Sequence, residues 1–228
     1  VLGITVPGVL FEVVVHVATL LSILLVYRVR VVDLVTGMIT RSREAWHYVG
    51  LLALATVPAG VVGVLWKDRI EAMFEDPVVP GVALLVTGLF LWTTRRALGR
   101  AVAEHPGVTA AVLIGLAQAT ALIPGISRSG ATVTAALWLG VAAPEAAAFS
   151  FLMAVPAIGG AAVLQLPEIA AGAGPGILPL VVGGIAAAVT GVVAIRTFVA
   201  MLASRSFHLF APYCWVVGSA YLLYLALR

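Results

Sequence analysis

Between His105 and Glu145 the chain carries only two strongly polar side chains, Gln118 and Arg128, in an otherwise apolar expanse. Arg128 lies in the stretch Leu122-Ile123-Pro124-Gly125-Ile126-Ser127-Arg128-Ser129-Gly130-Ala131-Thr132. A guanidinium at membrane depth costs a few kcal/mol on insertion scales. It stays charged at any working pH, so the chemistry its retention points to is anion binding.

The neighbours of Arg128 fit that chemistry. Pro124 and Gly125 break a helix, since proline lacks the amide donor and glycine tolerates unusual backbone angles. After the break, Ser127 or Ser129 can cap a new helix from about Gly130 to Leu139. A helix N-terminus presents unpaired N–H groups and partial positive charge, which suits a phosphate. Ser127, Ser129 and Thr132 add hydroxyls, and Arg128 a planar two-pronged donor. The plainer alternative is a helix–loop–helix whose serines merely cap while Arg128 reaches toward lipid headgroups.

The elements that must position these residues are membrane helices. The chain is 62% hydrophobic and only 10% charged, with mean hydropathy +1.15; a soluble domain would carry about a quarter charged residues. The net charge of +3 is scattered along the chain, which argues against a nucleic-acid surface. Cys214 is alone, so neither a disulfide nor a cysteine metal site is available.

The first apolar span covers Phe11–Tyr27 and carries Glu12 and His16, four apart and so on one helical face. A polar loop is expected from Arg28 through Arg43 and Glu44, then a span from Trp46 to Trp66 containing Pro58. Lys67–Pro80 reads as a charged connection and Gly81–Trp92 as a third span. Thr109–Ile123 and Gly130–Val141 are each too short to cross about 30 Å of hydrocarbon at about 1.5 Å per residue. They read as a re-entrant pair, tolerated where its broken tip is buried in protein or water. Spans follow at Pro144–Leu164, Leu180–Leu202 and Phe210–Leu225, with a Gly/Pro-rich loop at Pro167–Pro179.

The fold class expected is therefore an all-α integral membrane protein of about six transmembrane helices plus the re-entrant pair. It forms one polytopic domain, 1–228, with three-span groups at 11–105 and 144–228 flanking the pair at 109–141. That arrangement suggests inverted repeats meeting at broken helices. With six crossings, Arg28, Arg30, Arg41, Arg43, Arg95, Arg96, Arg100 and Arg205 share one side, against Lys67, Arg69 and Arg228 on the other. The positive-inside rule makes the first side cytoplasmic and puts the C-terminus outside.

The string Gln118-Ala119-Thr120-Ala121-Leu122-Ile123-Pro124-Gly125-Ile126-Ser127-Arg128-Ser129-Gly130-Ala131-Thr132 resembles the bacterial undecaprenyl-diphosphate phosphatase (bacitracin-resistance) family. Further matches are Phe11-Glu12-Val13-Val14-Val15, Ala148-Phe149-Ser150-Phe151-Leu152 leading to Pro156, and Ala194-Ile195-Arg196-Thr197-Phe198. The resemblance implies six transmembrane helices and two re-entrant pairs in the bacterial plasma membrane. It implies removal of the terminal phosphate of a polyprenyl diphosphate, returning the monophosphate as the cell-wall lipid carrier. Arg128 would grip the diphosphate, with Ser127, Ser129 and Thr132 in the same pocket and Gly125, Gly130 and Gln118 on the substrate. A divalent cation, Mg2+ or Ca2+, is implied as cofactor, with its ligands unassigned. Membrane lipids surround the protein, nucleic acid is not a partner, and a homodimer is allowed for.

One departure stands out. Family members carry, before the first span, a block of the form E-G-x-x-E-F-x-P-x-S-S-T-G-H that forms the other re-entrant pair and supplies acidic and metal-associated residues. Residues 1–9 contain no such block, and the chain opens on Val1 rather than methionine, which predicts further residues upstream. Within the chain, Glu12 and His16 are the stand-in acid and base; the competing reading makes Glu12 an interfacial residue and His16 a packing one. His47, His105 and His208 are too dispersed for metal-ligand spacing. The Gly159–Gly160 and Gly183–Gly184 pairs are expected to allow close helix packing. Two other functions suit a buried cation beside broken helices: a transporter or lipid flippase, and a non-catalytic lipid-phosphate binder.

Overall fold

The computed structural model describes the backbone of residues 9–99, 101–171 and 177–228, and their side chains except at 9, 12 and 161–171. The helices are α1 (Val9–Val26), α2 (Arg28–Ile39), α3 (Arg43–Leu65), α4 (Lys67–Glu75), α5 (Val78–Ala97), α6 (Val108–Thr120), α7 (Arg128–Trp138), α8 (Ala143–Ala171), α9 (Ile177–Ala203) and α10 (Phe210–Ala226), with a 3-10 turn at Phe207–Leu209. Among the described residues five helices are long and apolar enough to cross a membrane, namely α3, α5, α8, α9 and α10 with its preceding turn. The pair α1–α2, bent by 83°, makes a sixth candidate.

Polarity is distributed for lipid rather than water. Leu21, Leu25, Val61, Val64, Ile185 and Val189 point outward, while Ser22, Thr87, Thr94, Gln118, Thr132, Thr134 and Ser150 are buried. An aqueous surface would not tolerate that outer shell, and hydrocarbon would not tolerate the hydroxyls outside it. The chain is an all-helical integral membrane protein.

The centre of the bundle is the hairpin α6–α7. α6 lies along α3, and α7 lies between α5 and α8; α10 backs α5, and α1 packs on α8 and α9. At 13 and 11 residues, α6 and α7 reach only about 20 and 17 Å. Their bases are stitched together. Val102 and Ala103 donate to the Gly140 carbonyl at 2.9 and 2.8 Å, and Ala142 donates to the Ala103 carbonyl at 2.9 Å. The hairpin therefore leaves and rejoins the bundle at the same end, with the Pro124-Gly125 loop at its tip.

A charged cluster pins that base. Arg30 of α2 pairs with Glu145 of α8 at 3.4 Å, and His105 lies 3.4 Å from Glu145 and 3.9 Å from Glu44. The Arg30 guanidinium sits 4.6 Å over the Tyr48 ring. Arg30, Glu44, Tyr48 and His105 border a cavity of about 240 Å³ at the end of the bundle away from the loop tip.

Three expectations are corrected. Arg28–Ile39 is helix rather than loop: the chain turns sharply after α1 and continues as α2, whose positive-φ exit at Arg41 (φ 58°) leads to the Ser42 cap of α3. Lys67–Glu75 is also helical, with Lys67 and Glu71 paired one turn apart at 3.7 Å. The Pro167–Pro179 loop is shorter than expected, because α8 continues through Pro167 to Ala171 and α9 opens at Ile177; 172–176 lie outside the described residues, as do Val1–Gly8 and Arg100. Of the glycine pairs, Gly183 meets Phe11 and Gly184 meets Val14, while nothing described approaches Gly159 or Gly160.

α3 and α6 touch through Gly115, where an added Cβ would collide with the Ala55 carbonyl oxygen and lie 3.0 Å from its Cα. Backbone cannot swing aside as a side-chain end can. Gly115→Val is expected to cost about 1–3 kcal/mol of stability, read as a lowered unfolding midpoint in detergent. An unchanged midpoint would show that α3 and α6 do not pack this closely.

Candidate functional site

The loop between α6 and α7 is built by local chemistry. Ile126 donates to the Ile123 carbonyl at 3.1 Å across Pro124 and Gly125, and Gly125 has φ +95°. Proline followed by a positive-φ glycine is the pattern of a type II turn. The space a Gly125 side chain would need is taken by the Pro80 carbonyl oxygen, 2.6 Å from the ideal Cβ position. The loop tip thus sits on the first turns of α5.

The next helix starts at Ser127. Its hydroxyl accepts from the Gly130 amide at 3.1 Å, and its carbonyl accepts from Ala131 at 2.8 Å. That decides between the two candidate caps in favour of Ser127, and α7 opens at Arg128, two residues earlier than expected. Among the described residues the backbone N–H groups of Arg128 and Ser129 have no acceptor, and neither does the Ser129 hydroxyl. Helix-start amides left open this way are donors for an anion.

Arg128 is half-buried, and its Nη1 is shielded from solvent without a hydrogen-bond partner. Gln118, in the last turn of α6, is 3% exposed with both amide atoms unpaired. Buried polar atoms in native structures are almost always bonded to something. Gln118 and Arg128 stand on the helices flanking one loop, and both carry polar atoms with capacity for a further hydrogen bond.

Thr132 points elsewhere. Its hydroxyl donates to the Arg128 carbonyl at 2.8 Å and lies 2.6 Å from the Ser150 hydroxyl of α8, with no exposed surface. It ties α7 to α8 from within. Gly130 is packed between the Ser127 side chain and Leu91. Ser127, Arg128, Ser129, Gly125 and Gly130 are thus gathered at the tip with Gln118 one turn before it. His16 is not: it lies on an exposed part of α1, which packs on α8 and α9 rather than on α6 or α7 among the described residues. The side chain of Glu12 lies outside the described residues.

Two groups escaped sequence reasoning. Ser150 was visible only as part of an apolar segment. Thr87 of α5 is 2% exposed and bonds both sides of the loop: it donates to the Gly125 carbonyl and accepts from the Ser127 amide, each at 3.1 Å. The available signal was a lone hydroxyl amid the apolar run Leu84-Leu85-Val86-Thr87-Gly88-Leu89. Among the described residues no group of three or more His, Cys, Asp or Glu could hold a metal ion.

Comparison with known proteins is in keeping with this geometry. The family model described as bacitracin resistance protein BacA matches residues 2–220. An undecaprenyl-diphosphatase of Methanothermobacter thermautotrophicus is 44% identical over 172 residues, covering 74% of this chain and 95% of the relative. Undecaprenyl-diphosphatases of Desulforapulum autotrophicum and Desulfatibacillum aliphaticivorans are 36% and 35% identical. They cover 95% and 97% of this chain, and 84% and 87% of their own length.

Gly125→Ala joins a strained backbone angle to a clash with Pro80. It is expected to cost at least about 1–2 kcal/mol, whereas Gly99→Ala, with open space around it, should be close to neutral. Comparing their unfolding midpoints checks whether the loop adopts this turn.

Proposed function

The chain belongs to the bacitracin resistance protein BacA family, and from that membership and the loop geometry we propose that it is an undecaprenyl-diphosphate phosphatase. The bond broken is the phosphoanhydride. In net terms water supplies the oxygen that bonds to the terminal phosphorus and gives up a proton, the bridging P–O bond breaks, and the lipid monophosphate and inorganic phosphate leave. Charge on the equatorial and leaving oxygens must be neutralised for this to proceed.

The observation that carries the reading is the first turn of α7, where the Arg128 Nη1 is shielded and unpaired and the Arg128 and Ser129 amides are open. Guanidinium and helix end together offer a fork and two N–H donors of matching polarity to a diphosphate. Ser127 and Ser129 flank that donor set, and Gln118 supplies an amide from the other arm of the hairpin. Thr132 acts one step back, holding the Arg128 carbonyl. Bound divalent metal would supply charge neutralisation in phosphoryl transfer; among the described residues Arg128 is the neutralising group at the loop.

In the membrane, the hairpin α6–α7 enters and returns from one face, and α1, α3, α5, α8, α9 and α10 cross. α2 turns along the cytoplasmic face with its arginines, the C-terminus lies outside, and the protein resides in the bacterial plasma membrane. The halves flanking the hairpin form an inverted repeat within one domain, and a homodimer is compatible with this arrangement.

Purified protein supplied with undecaprenyl diphosphate is expected to release inorganic phosphate. Arg128→Lys should lower kcat/KM by at least about 10²-fold, since a point charge cannot reproduce a bidentate grip. Near-normal turnover of that variant would remove Arg128 from the reaction. Lipid movement across vesicles without phosphate release would replace hydrolysis with transport.

A further inference from the structure

Helix threonines commonly return their hydroxyl to a carbonyl three or four residues back. Thr93 and Thr94 of α5 do so, donating to Phe90 and Leu91, as do Thr19, Thr56, Thr120 and Thr190. Thr87, in the same helix, does not. Its one proton goes to the Gly125 carbonyl and a lone pair takes the Ser127 amide, 38 and 40 residues along the chain. Among the described residues it is the one side chain bonded to the backbone of both Gly125 and Ser127.

Those two bonds straddle Ile126 and set the peptide groups on either side of it. The consequence reaches Arg128 directly. Ser127 is both the residue held by Thr87 and the residue whose hydroxyl caps α7, and Arg128 is the next one along. The anchor is itself braced. The α5 glycines Gly81 and Gly88 take Leu222 and Trp215 of α10, and the Trp215 indole donates to the Leu85 carbonyl at 3.2 Å.

We propose that Thr87 is a positioning residue for Arg128, its hydroxyl fixing the Gly125–Ser127 backbone so that the guanidinium and the open amides of α7 share one binding geometry. The activity part of this role rests on the hydrolase reading above; the loop geometry does not. Thr87→Val keeps shape and branching but removes the hydroxyl, leaving a buried carbonyl and amide to find new partners. Thr87→Ser keeps the hydroxyl and loses only a methyl group.

The test uses the full chain in lipid nanodiscs, with two readouts. Hydrogen exchange at the Ser127 amide should be slow in wild type and Thr87→Ser, and at least about tenfold faster in Thr87→Val. Phosphate release from undecaprenyl diphosphate should fall about ten- to a hundredfold in kcat for Thr87→Val, with KM within about threefold, and recover in Thr87→Ser. A merely structural role would leave that kcat-selective loss and serine rescue unseen. Thr87→Ala takes the place of the valine variant if the latter does not fold. Unchanged exchange at Ser127, unchanged kcat despite faster exchange, or failure of serine to rescue would each overturn the proposal. A wild-type protein that releases no phosphate would sink the hydrolase reading, while exchange at Ser127 would still decide whether Thr87 shapes the loop.

Discussion

A permanently charged side chain is held half-buried in an apolar bundle, and the bonds of the loop beside Arg128 fix where it sits. A break in a helix inside an apolar bundle exposes backbone donors and acceptors that apolar side chains cannot satisfy. Here the break is nearly self-sufficient. The Pro124-Gly125 turn closes on itself, Thr87 takes a carbonyl and an amide, and Ser127 caps the new helix. The groups left over include the Arg128 and Ser129 amides and the Arg128 Nη1, all donors, with the Gln118 amide and the Ser129 hydroxyl, which can donate or accept. The one full charge among them is the guanidinium, and it selects the sign of a ligand.

Holding that loop takes a scaffold with two working faces. α5 presents Pro80, Ala83, Thr87 and Leu91 to the loop and to α7, and turns glycines toward α10. α8 grips α7 from the other side through Ser150 and Thr132. At the far end, Arg30, Glu145 and His105 clamp the hairpin base to α2, α3 and α8. The tip of the short hairpin is therefore fixed by buried polar contacts, and its base by a partly exposed charged cluster at the end of the bundle.

Much of the architecture was legible from residue types because hydrocarbon imposes simple length rules. The long apolar runs became α3, α5, α8, α9 and α10, and the two short ones became the arms of the hairpin. The readings that failed, Arg28–Ile39 and Lys67–Glu75, are polar or mixed segments, where charge was taken for irregularity. α2 packs Val31 and Leu34 against the core, and α4 is supported by a pair one turn apart. Hydropathy measures where a segment goes better than what shape it takes.

At the site the same division holds. Ser127, Arg128, Ser129, Gly125 and Gln118 could be singled out from sequence alone, because turn, cap and charge are local properties and an arginine in an apolar run stands out. Their burial, and which of their atoms lack partners, depends on helices far away in the chain. Thr132 looks like a pocket hydroxyl in sequence, and it is Ser150 of α8 that draws it away from the loop. Thr87 looks like a filler in a membrane span, and only the docking of Gly125 on α5 turns it into a support. Type and spacing set what the loop can do chemically; contacts between residues tens of positions apart decide which groups stay free to do it, because a buried polar atom is available only if nothing nearby has already claimed it.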